Sequence, residues 1–298
     1  MTLQSSDAIR PSAVAGTWYP GAVPALRAAV DGHLAEAEPA PAGDVVAVIA
    51  PHAGLVYSGP VAAHAYRAVA GRPYDVVLLV GPSHYHGFDG VAIWPAGAFE
   101  TPLGRVAVEA GVADRLLASP VVGTHPTAHD REHALEMQLP FLQEVLPDVP
   151  IVPLLVGYQE RPTIEALADA LAEACAGLTA LLVASTDLSH YFDAARAAAL
   201  DQVVVDHVAR FDAAGLLSAY EGYPLNDRGR YVACGGGAAI AVMLAAARLG
   251  ADRGRVLRRA DSGDVSGDKT AVVGYLAATF ERSGEGGAPG VDGPPKTV

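Results

Sequence analysis

The sequence predicts a single-domain α/β protein in which a mostly parallel central sheet carries helices on both faces. Four short runs are rich in β-branched residues and almost continuously apolar, which is typical of strands buried on both faces of a sheet. Helical stretches separate these runs, and such alternation indicates an α/β fold. The predicted strands are DVVAVIA (44–50), YDVVLLVG (74–81), VPIVPLLVG (149–157) and LTALLVAST (178–186).

Segments with a helical distribution of apolar residues flank each predicted strand. Helices between parallel strands cover the two faces of the sheet, which is why we expect them on both sides. The predicted helices are VPALRAAVDGHLAEA (23–37), PVAAHAYRAVA (60–70), REHALEMQLPFLQEVL (131–146), TIEALADALAEACA (163–176), ARAAALDQVVVDHVARF (195–211) and GGGAAIAVMLAAARLG (235–250).

Two further segments predict additional strands. DGVAIWPAGAFETPLG (89–104) has the pattern of a strand with a turn or hairpin, and VLRRADSGDVSGDKTAVVGYLAATF (256–280) that of two strands around a polar loop. We see no internal repeat and no clear linker, so we predict one domain over residues 1–282. Residues 283–298 are rich in Gly and Pro with little to bury, and we expect a disordered tail there.

The composition argues against several classes of protein. Hydrophobic residues make up 51% of the 298 residues and charged residues only 18%, which excludes a chain that is disordered throughout. No apolar run approaches the roughly 18–20 residues of a membrane span. The formal net charge of −13 would repel a phosphate backbone, so nucleic-acid binding is not expected. The chain starts without a secretory signal pattern and contains two cysteines, which together favour a cytoplasmic protein.

Three of the predicted strands end next to a histidine. His52 follows the first strand in the motif PHAG, His84 follows the second in GPSH, and His190 follows the fourth in DLSH. A single loop histidine is most often a surface residue, but three at one sheet edge are hard to explain in that way. Ligands bind beyond the carboxyl ends of strands in open α/β sheets, and imidazole is the commonest metal ligand. We therefore predict a shared site at this edge.

Of the two cysteines, Cys234 is the one that we expect to have a chemical role. It precedes a helical pattern, and backbone N–H groups at a helix start favour the thiolate, which is both a nucleophile and a metal ligand. Cys175 lies inside an amphipathic helical pattern, where a free cysteine is usually a small core residue.

A further pattern, H-x-x-E-H at residues 129–133, matches an inverted zinc-peptidase motif. That chemistry requires two histidines on one helix face. The residues around His129 have the pattern of a loop, with Asp130 expected to cap the following helix, so His129 would lie outside it. We therefore set the peptidase interpretation aside and keep His133 as a residue of the pocket wall.

Several long motifs occur in one order along the chain. They are VAGTWYPG, PHAGLVYSGPVAAHAY, GPSHYHGFDGVAIWPAGAFETPLG, EHALEMQLPFLQ, IVPLLVG, ASTDLSHY, the Cys234-Gly235 turn and SGDVSGDKTAVVGYLA. This order resembles the Memo-like family, called AmmeMemoRadiSam system protein B in prokaryotes. The resemblance extends from about Ala13 to about Phe280.

The resemblance implies a fold similar to that of class III extradiol dioxygenases, which cleave catechol-type rings with non-haem Fe(II). By the family's motifs, His52, His84 and Cys234 would be the metal ligands. Fe(II) is the expected metal, with Cu or Zn as alternatives. The dioxygenases themselves use two histidines and one carboxylate, so a thiolate in the third position argues against a direct transfer of catechol cleavage.

The resemblance also implies roles for other residues and partners. His190 would correspond to an acid–base histidine, with Asp187 and His133 lining the site. The prokaryotic family name implies a radical-SAM protein and a small protein as partners. The aromatic residues Tyr57, Tyr85, Tyr191 and Trp94 would suit an aromatic ligand, although each is as well explained by packing.

Three functions stay open at this point. The first is a metal-dependent redox enzyme with Fe or Cu, whose substrate is unknown. The second is a metal-independent hydrolase or thiol enzyme, in which Cys234 is the nucleophile and His190 and Asp187 act as base and orienting group. The third is a non-catalytic peptide-binding or adaptor protein on a dioxygenase-like fold, because a fold does not fix a function.

Overall fold

A computed structural model describes residues 8–38 and 43–283 of the protein. The predicted α/β class is confirmed, since a large sheet lies between two sets of helices. Apart from Ser283, the predicted tail lies outside the described residues. In the described part of the chain, no helix has the length and apolar character to cross a membrane.

The chain alternates between strands and helices along most of its length. The strands are β1 (Ile9–Arg10), β2 (Asp44–Ala50), β3 (Val76–Pro82), β4 (Val91–Ile93), β5 (Ala98–Thr101), β6 (Gly104–Ala107), β7 (Val122–Thr124), β8 (Ile151–Val156), β9 (Ala180–Ser185), β10 (His190–Phe192), β11 (Arg253–Asp261) and β12 (Val272–Arg282). The helices are α1 (Val23–Glu36), α2 (Leu55–Val69), α3 (Ala110–Leu117), α4 (Pro126–Asp130), α5 (Leu139–Val145), α6 (Arg161–Ala174), α7 (Ala194–Ala209), α8 (Ala213–Glu221), α9 (Arg228–Tyr231), α10 (Gly236–Arg248) and α11 (Gly263–Ser266), with a 3₁₀ turn at Glu136–Gln138.

The main sheet has the strand order β10-β12-β2-β9-β3-β8-β4-β7, and β11 pairs with β12. The four strands predicted from apolar runs, β2, β9, β3 and β8, are neighbours and parallel, and they form its centre. Antiparallel pairs, β12 with β2 and β4 with β8, extend the sheet on both sides. The segment 89–104, predicted as a strand with a turn or hairpin, contains β4 and β5, but these two strands lie in different sheets. The hairpin is formed instead by β5 and β6, which pair antiparallel in a small second sheet with β1.

Alternate residues of the central strands enter two separate cores. In β3, Val76, Leu78 and Val80 belong to one core, where they meet α6 and α10. Val77 and Leu79 belong to the other, where they meet α1, α2 and α5. Since side chains alternate across a strand, burial on both faces explains why these runs are continuously apolar rather than alternating.

The helix predicted over residues 131–146 is shorter than expected. Residues 131–135 belong to no helix, and α5 begins only at Leu139. Pro140 lacks an N–H and is tolerated only in a first helical turn, which explains this late start. The Glu132 carboxylate also takes the N–H groups of His133 and Ala134 at 2.9 Å each, in place of helical acceptors.

The expectation of a loop around His129, with Asp130 capping the following helix, is wrong, although His129 does lie outside that helix. His129 lies in α4, which ends at Asp130. His129 and His133 are therefore not on one helix, as the zinc-peptidase motif would require.

Candidate functional site

An open pocket of about 710 Å³ lies where β2, β3 and β9 end. His52 follows β2, His84 follows β3, and Asp187 follows β9, so three neighbouring strands each deliver one side chain. The pocket is lined by all six residues singled out from the sequence: His52, His84, His133, Asp187, His190 and Cys234.

His52 is buried, and its ring is oriented by a neutral hydroxyl. Its main-chain N–H donates to Asp187 Oδ1 at 2.8 Å, and its Nδ1 lies 2.9 Å from Ser185 Oγ. The Ser185 hydroxyl donates its own hydrogen to the Ala134 carbonyl at 2.7 Å. Because that hydrogen is already used, Ser185 accepts from His52 Nδ1–H. Nε2 is then the ring nitrogen left for another partner.

His84 is held by a charged group, the buried carboxylate of Glu132. Its Nδ1 lies 2.9 Å from Glu132 Oε1, and its main-chain N–H donates to Oε2 at 2.6 Å. This contact fixes the proton on Nδ1 and leaves Nε2 free, as in carboxylate–histidine pairs at metal sites. The His84 side chain is 27% exposed.

The pKa values of this pair move in opposite directions. Burial opposes both charges, but the hydrogen bonds and mutual attraction outweigh it. The pKa of Glu132 falls to about 2. For His84, burial lowers the pKa while hydrogen bonds to Cys234 and Glu132 raise it to about 10.

His133 packs against both other histidines. Its ring is stacked on that of His84 at 4.6 Å between centroids and meets the His52 ring edge-on at 5.5 Å. Burial, together with the charges of His52 and His84, lowers the pKa of His133 to about 3, so it is neutral at pH 7. Ring nitrogens of His52, His84 and His133 all lie within 4.8 Å of one another. Three imidazoles at such separations are an arrangement that can hold a metal ion, which binds their deprotonated nitrogens and so displaces a proton from His84.

Cys234 adds a sulfur donor beside this histidine cluster. Its Sγ lies 3.3 Å from His52 Nε2 and accepts the main-chain N–H of Asp187 at 3.3 Å. Burial raises the pKa of the thiol, but the charge of His52 and hydrogen bonds to His52 and His84 lower it to about 6. Among the described residues, the N–H group that contacts the sulfur is thus that of Asp187, not one at a helix start as the sequence led us to expect.

Gly235 allows the approach of the cysteine turn to the strand end. A Cβ at this position would lie 2.5 Å from the Ser185 carbonyl oxygen and 2.9 Å from Thr186 Cβ. Any side chain would therefore push Cys234 away from His52. Cys175, by contrast, is buried in the core as predicted, and burial raises its pKa to about 12.

The other two predicted residues differ in what they contact. The Asp187 carboxylate is buried and accepts main-chain N–H groups of His52 and Ala53, and burial raises its pKa. His190 lines the pocket, and its Nδ1 is buried without a hydrogen-bond partner in the described residues. The next residue, Tyr191, has φ of +63°, an uncommon conformation for a bulky side chain. Among the described residues, the imidazoles that contact the Cys234 thiol are those of His52 and His84, and a pair between Cys234 and His190 is not formed.

Sequence reasoning missed the N-terminal wall of the pocket. The Trp18 ring lies 4.1 Å from that of His133. This segment is anchored by the buried Glu136, whose carboxylate accepts from Arg10, from the Tyr19 hydroxyl at 2.6 Å and from two main-chain N–H groups. The only sequence signal for this wall was the motif VAGTWYPG.

Among the expected aromatic residues, Tyr57, Tyr85 and Tyr191 line the pocket. Trp94 instead packs in the core against Phe99 and His129.

The fold and the pocket together define an α/β protein with a histidine- and cysteine-lined site at the carboxyl edge of its sheet. The sequence description of Memo-like proteins matches residues 10–279. A MEMO1 family protein of Methanopyrus kandleri is 36% identical over 288 residues, which cover 92% of this chain and 99% of the relative. Another, from Thermotoga neapolitana, is 42% identical over 237 residues, which cover 78% and 82%. The chain therefore belongs to the Memo-like family, as its motifs predicted.

A solved structure has a similar fold at low sequence identity. It is an uncharacterized protein of Escherichia coli K12, with a TM-score of 0.52 and 12% identity. The match covers 79% of this chain and 99% of that one. At this identity the similarity shows a shared fold and nothing about function.

Proposed function

We propose that the protein holds one metal ion through His52, His84 and Cys234 and is a metal-dependent redox protein. The observation that carries the proposal is the convergence of these donors, with Cys234 Sγ 3.3 Å from His52 Nε2 and the histidine nitrogens within 4.8 Å of one another. Both histidines have Nδ1 occupied by an oxygen, of Ser185 or Glu132, which leaves Nε2 as the donor atom.

The residues present fit a transition metal better than a hard cation. Imidazole suits Fe, Cu and Zn, and a thiolate favours softer ions over Mg²⁺ or Ca²⁺. Fe(II) is the metal that we expect from the family's relation to non-haem iron enzymes, with Cu and Zn as the alternatives. An iron or copper ion bound here would supply one-electron chemistry.

The remaining side chains would handle protons and orientation. His190 lines the pocket with a buried, unpartnered Nδ1 among the described residues, so it can hold or release a proton toward a bound molecule. Asp187 acts on the ligands instead, because it accepts the His52 N–H through its carboxylate and donates its own N–H to Cys234 Sγ. His133, neutral and packed against both ligand histidines, is a wall residue that can accept a hydrogen bond.

Metal content tests this proposal. The untagged protein would be purified, reconstituted anaerobically with Fe(II) or Cu(I), desalted and analysed by elemental mass spectrometry. We expect about one ion per chain, lost in His52→Ala, His84→Ala and Cys234→Ser. His86→Ala is the matched control, since this exposed histidine is close in sequence but does not line the pocket. Absence of metal from the reconstituted wild type would overturn the proposal.

Oxygen uptake tests the redox part separately. The iron-loaded protein, supplied with a reductant, would be followed with an oxygen electrode. We expect uptake above that of the metal-free protein, and lower uptake in His190→Gln at unchanged metal content. A protein that binds metal but consumes no oxygen above the metal-free background would keep the site and remove the redox function.

A second function is favoured by one contact. The 3.3 Å distance between Cys234 Sγ and His52 Nε2 resembles the thiolate–imidazole pair of a metal-independent thiol enzyme. In that case Cys234 is the nucleophile and His52, rather than His190, is its base. Inactivation by iodoacetamide at an unchanged rate with and without chelator would favour this function, whereas protection of Cys234 by bound metal would favour the first.

A further inference from the structure

The mouth of the pocket concentrates exposed apolar surface. Among the described residues, ten large apolar side chains are exposed, and half of them line this one pocket. They are Trp18, Val56, Tyr57, Tyr85 and Tyr191. Large apolar side chains grouped around a concave opening mark a binding site rather than ordinary surface. The volume of about 710 Å³ is in the range of small-molecule sites.

One arginine stands at this apolar mouth. Arg230 lines the pocket, and it is the only Lys or Arg among the described residues that does so. Its guanidinium carbon lies 5.0 Å from the centre of the Phe192 ring and 5.9 Å from that of Tyr231, so stacking restricts its position. Within the described residues its guanidinium has no carboxylate partner.

The position of Arg230 is not explained by packing alone. Arg196 stacks on the same two rings, at 4.7 Å from Phe192 and 5.9 Å from Tyr231, without lining the pocket. Arg228, two residues earlier, donates to main-chain carbonyls of Tyr223 and Gln159 and so holds the local turn. Arg230 is thus the member of this group that lines the pocket and, among the described residues, has no hydrogen-bond or ion-pair partner for its guanidinium.

The net negative charge of the whole protein affects which anions can bind beside Arg230. A net charge of −13 disfavours anions at long range, so an anion that binds here needs a local positive partner. A guanidinium fits a carboxylate with two parallel hydrogen bonds. The acid that lines the pocket, Asp187, is buried and already accepts main-chain N–H groups.

From this arrangement we infer that the pocket takes an organic anion: a planar, apolar body seated among Trp18, Tyr57, Tyr85 and Tyr191, with a carboxylate on Arg230. This substrate class rests on the proposed function for its chemistry, but the binding itself does not require the metal. Arg230 would select the substrate, while the histidines and Cys234 would act on the part that reaches the strand ends.

A matched pair of ligands tests the inference. Cinnamate and cinnamamide have nearly the same shape and differ in charge. Their affinities would be measured by titration calorimetry on the full chain, metal-loaded and after chelation, so that a carboxylate bound to metal is told apart from one bound to Arg230. We expect the wild type to prefer cinnamate by about tenfold or more in both states.

Variants assign that preference to its source. Arg230→Ala should bind cinnamate and cinnamamide equally, with unchanged cinnamamide affinity, melting temperature and metal content. Arg196→Ala, the matched stacking control, should keep the wild-type preference. Failure of both ligands to bind, equal affinities in the wild type, or a preference that persists in Arg230→Ala would overturn the inference. A wild-type protein that cannot be loaded with metal but still prefers cinnamate would count against the proposed function and not against the anion site.

Discussion

The two sides of the pocket hold their histidines by different means. On the Glu132 side, His84 and His133 lie beside a buried carboxylate. This carboxylate accepts hydrogen bonds from His84 Nδ1 and from three main-chain N–H groups. On the Ser185 side, His52 is oriented by a neutral hydroxyl and lies beside Cys234. On both sides Nε2 of a ligand histidine faces the pocket, but only His84 has a charged group orienting its ring.

This difference shows where the negative charge of the site lies relative to the two histidines. A carboxylate behind an imidazole makes that imidazole a stronger donor, and this is the position of Glu132 behind His84. His52 has only a hydroxyl behind it and has a thiol in front of it. Both histidines thus have the Cys234 thiol as a neighbour, but only His84 also has a carboxylate behind it.

The largest expected effect comes from the support beneath the Glu132 side. Glu136→Ala would leave the buried Arg10 without its ion pair and free the segment that carries Trp18. Breaking a buried pair in this way costs about 3–5 kcal/mol of unfolding free energy. Urea denaturation would measure it, with Glu144→Ala as control, because the Glu144–Arg27 pair is partly exposed and contributes about 0–1 kcal/mol. An equal loss in both variants would contradict the anchoring role.

Removing the charge on the Glu132 side should weaken metal binding next. Glu132→Gln keeps the shape but places an amide N–H₂ among N–H donors, so His84 loses its orientation. We expect metal affinity to fall by about 10–100-fold, as for other groups that hydrogen-bond a ligand histidine. Competition with a chelator of known affinity would measure it. Unchanged affinity would mean that His84 is not a ligand or does not need Glu132.

The Ser185 side should be less sensitive. Ser185→Ala removes a neutral acceptor from His52 Nδ1 and leaves Gln138 Nε2 with the Pro51 carbonyl alone. We expect a loss of metal affinity of about tenfold, at the low end of the range for such groups. The same chelator competition applies. A larger loss than in Glu132→Gln would reverse the comparison between the two sides.

His129 provides a pH signature in stability rather than an effect on metal affinity. Burial, the largest cause, lowers its pKa from 6.5 to about 3 in the folded state, so folding favours the neutral ring. Its contribution to stability is complete above about pH 6.5 and is lost as pH falls toward 3, with a slope of up to about 1.4 kcal/mol per pH unit. His129→Gln, measured by urea denaturation in chelator from about pH 4 to 6.5, should show a shallower decline. An identical slope would show that this ring is not the cause.

The sequence predicted the parallel centre of the sheet because strands buried on both faces leave a continuous apolar run, as in β2, β3, β8 and β9. The sequence also predicted that His52 and His84 lie at one edge of the sheet, because residues that follow parallel strands meet at its carboxyl edge. It did not predict the contact of Cys234 with His52, since this depends on a turn more than 180 residues away that only a glycine allows.

The Glu132 side was harder to predict for a physical reason. Residues 131–146 have a helical pattern, but Pro140 delays the helix and Glu132 captures the free N–H groups. A local pattern cannot show that a carboxylate 48 residues from His84 will outcompete helical hydrogen bonds. Arg230 lies in no motif that would have predicted a role for it. Its position depends on the rings on which it stacks, which the sequence does not show.

The central claim is that His52, His84 and Cys234 form one metal site, and X-ray absorption at the metal edge tests it most directly. Anaerobically loaded protein would be compared with Cys234→Ser loaded in the same way. We expect one sulfur and two imidazole scatterers in the wild type, with the sulfur replaced by a light atom in the variant. A spectrum with nitrogen and oxygen alone in the wild type would contradict the claim and would favour a site formed by His52, His84 and His133.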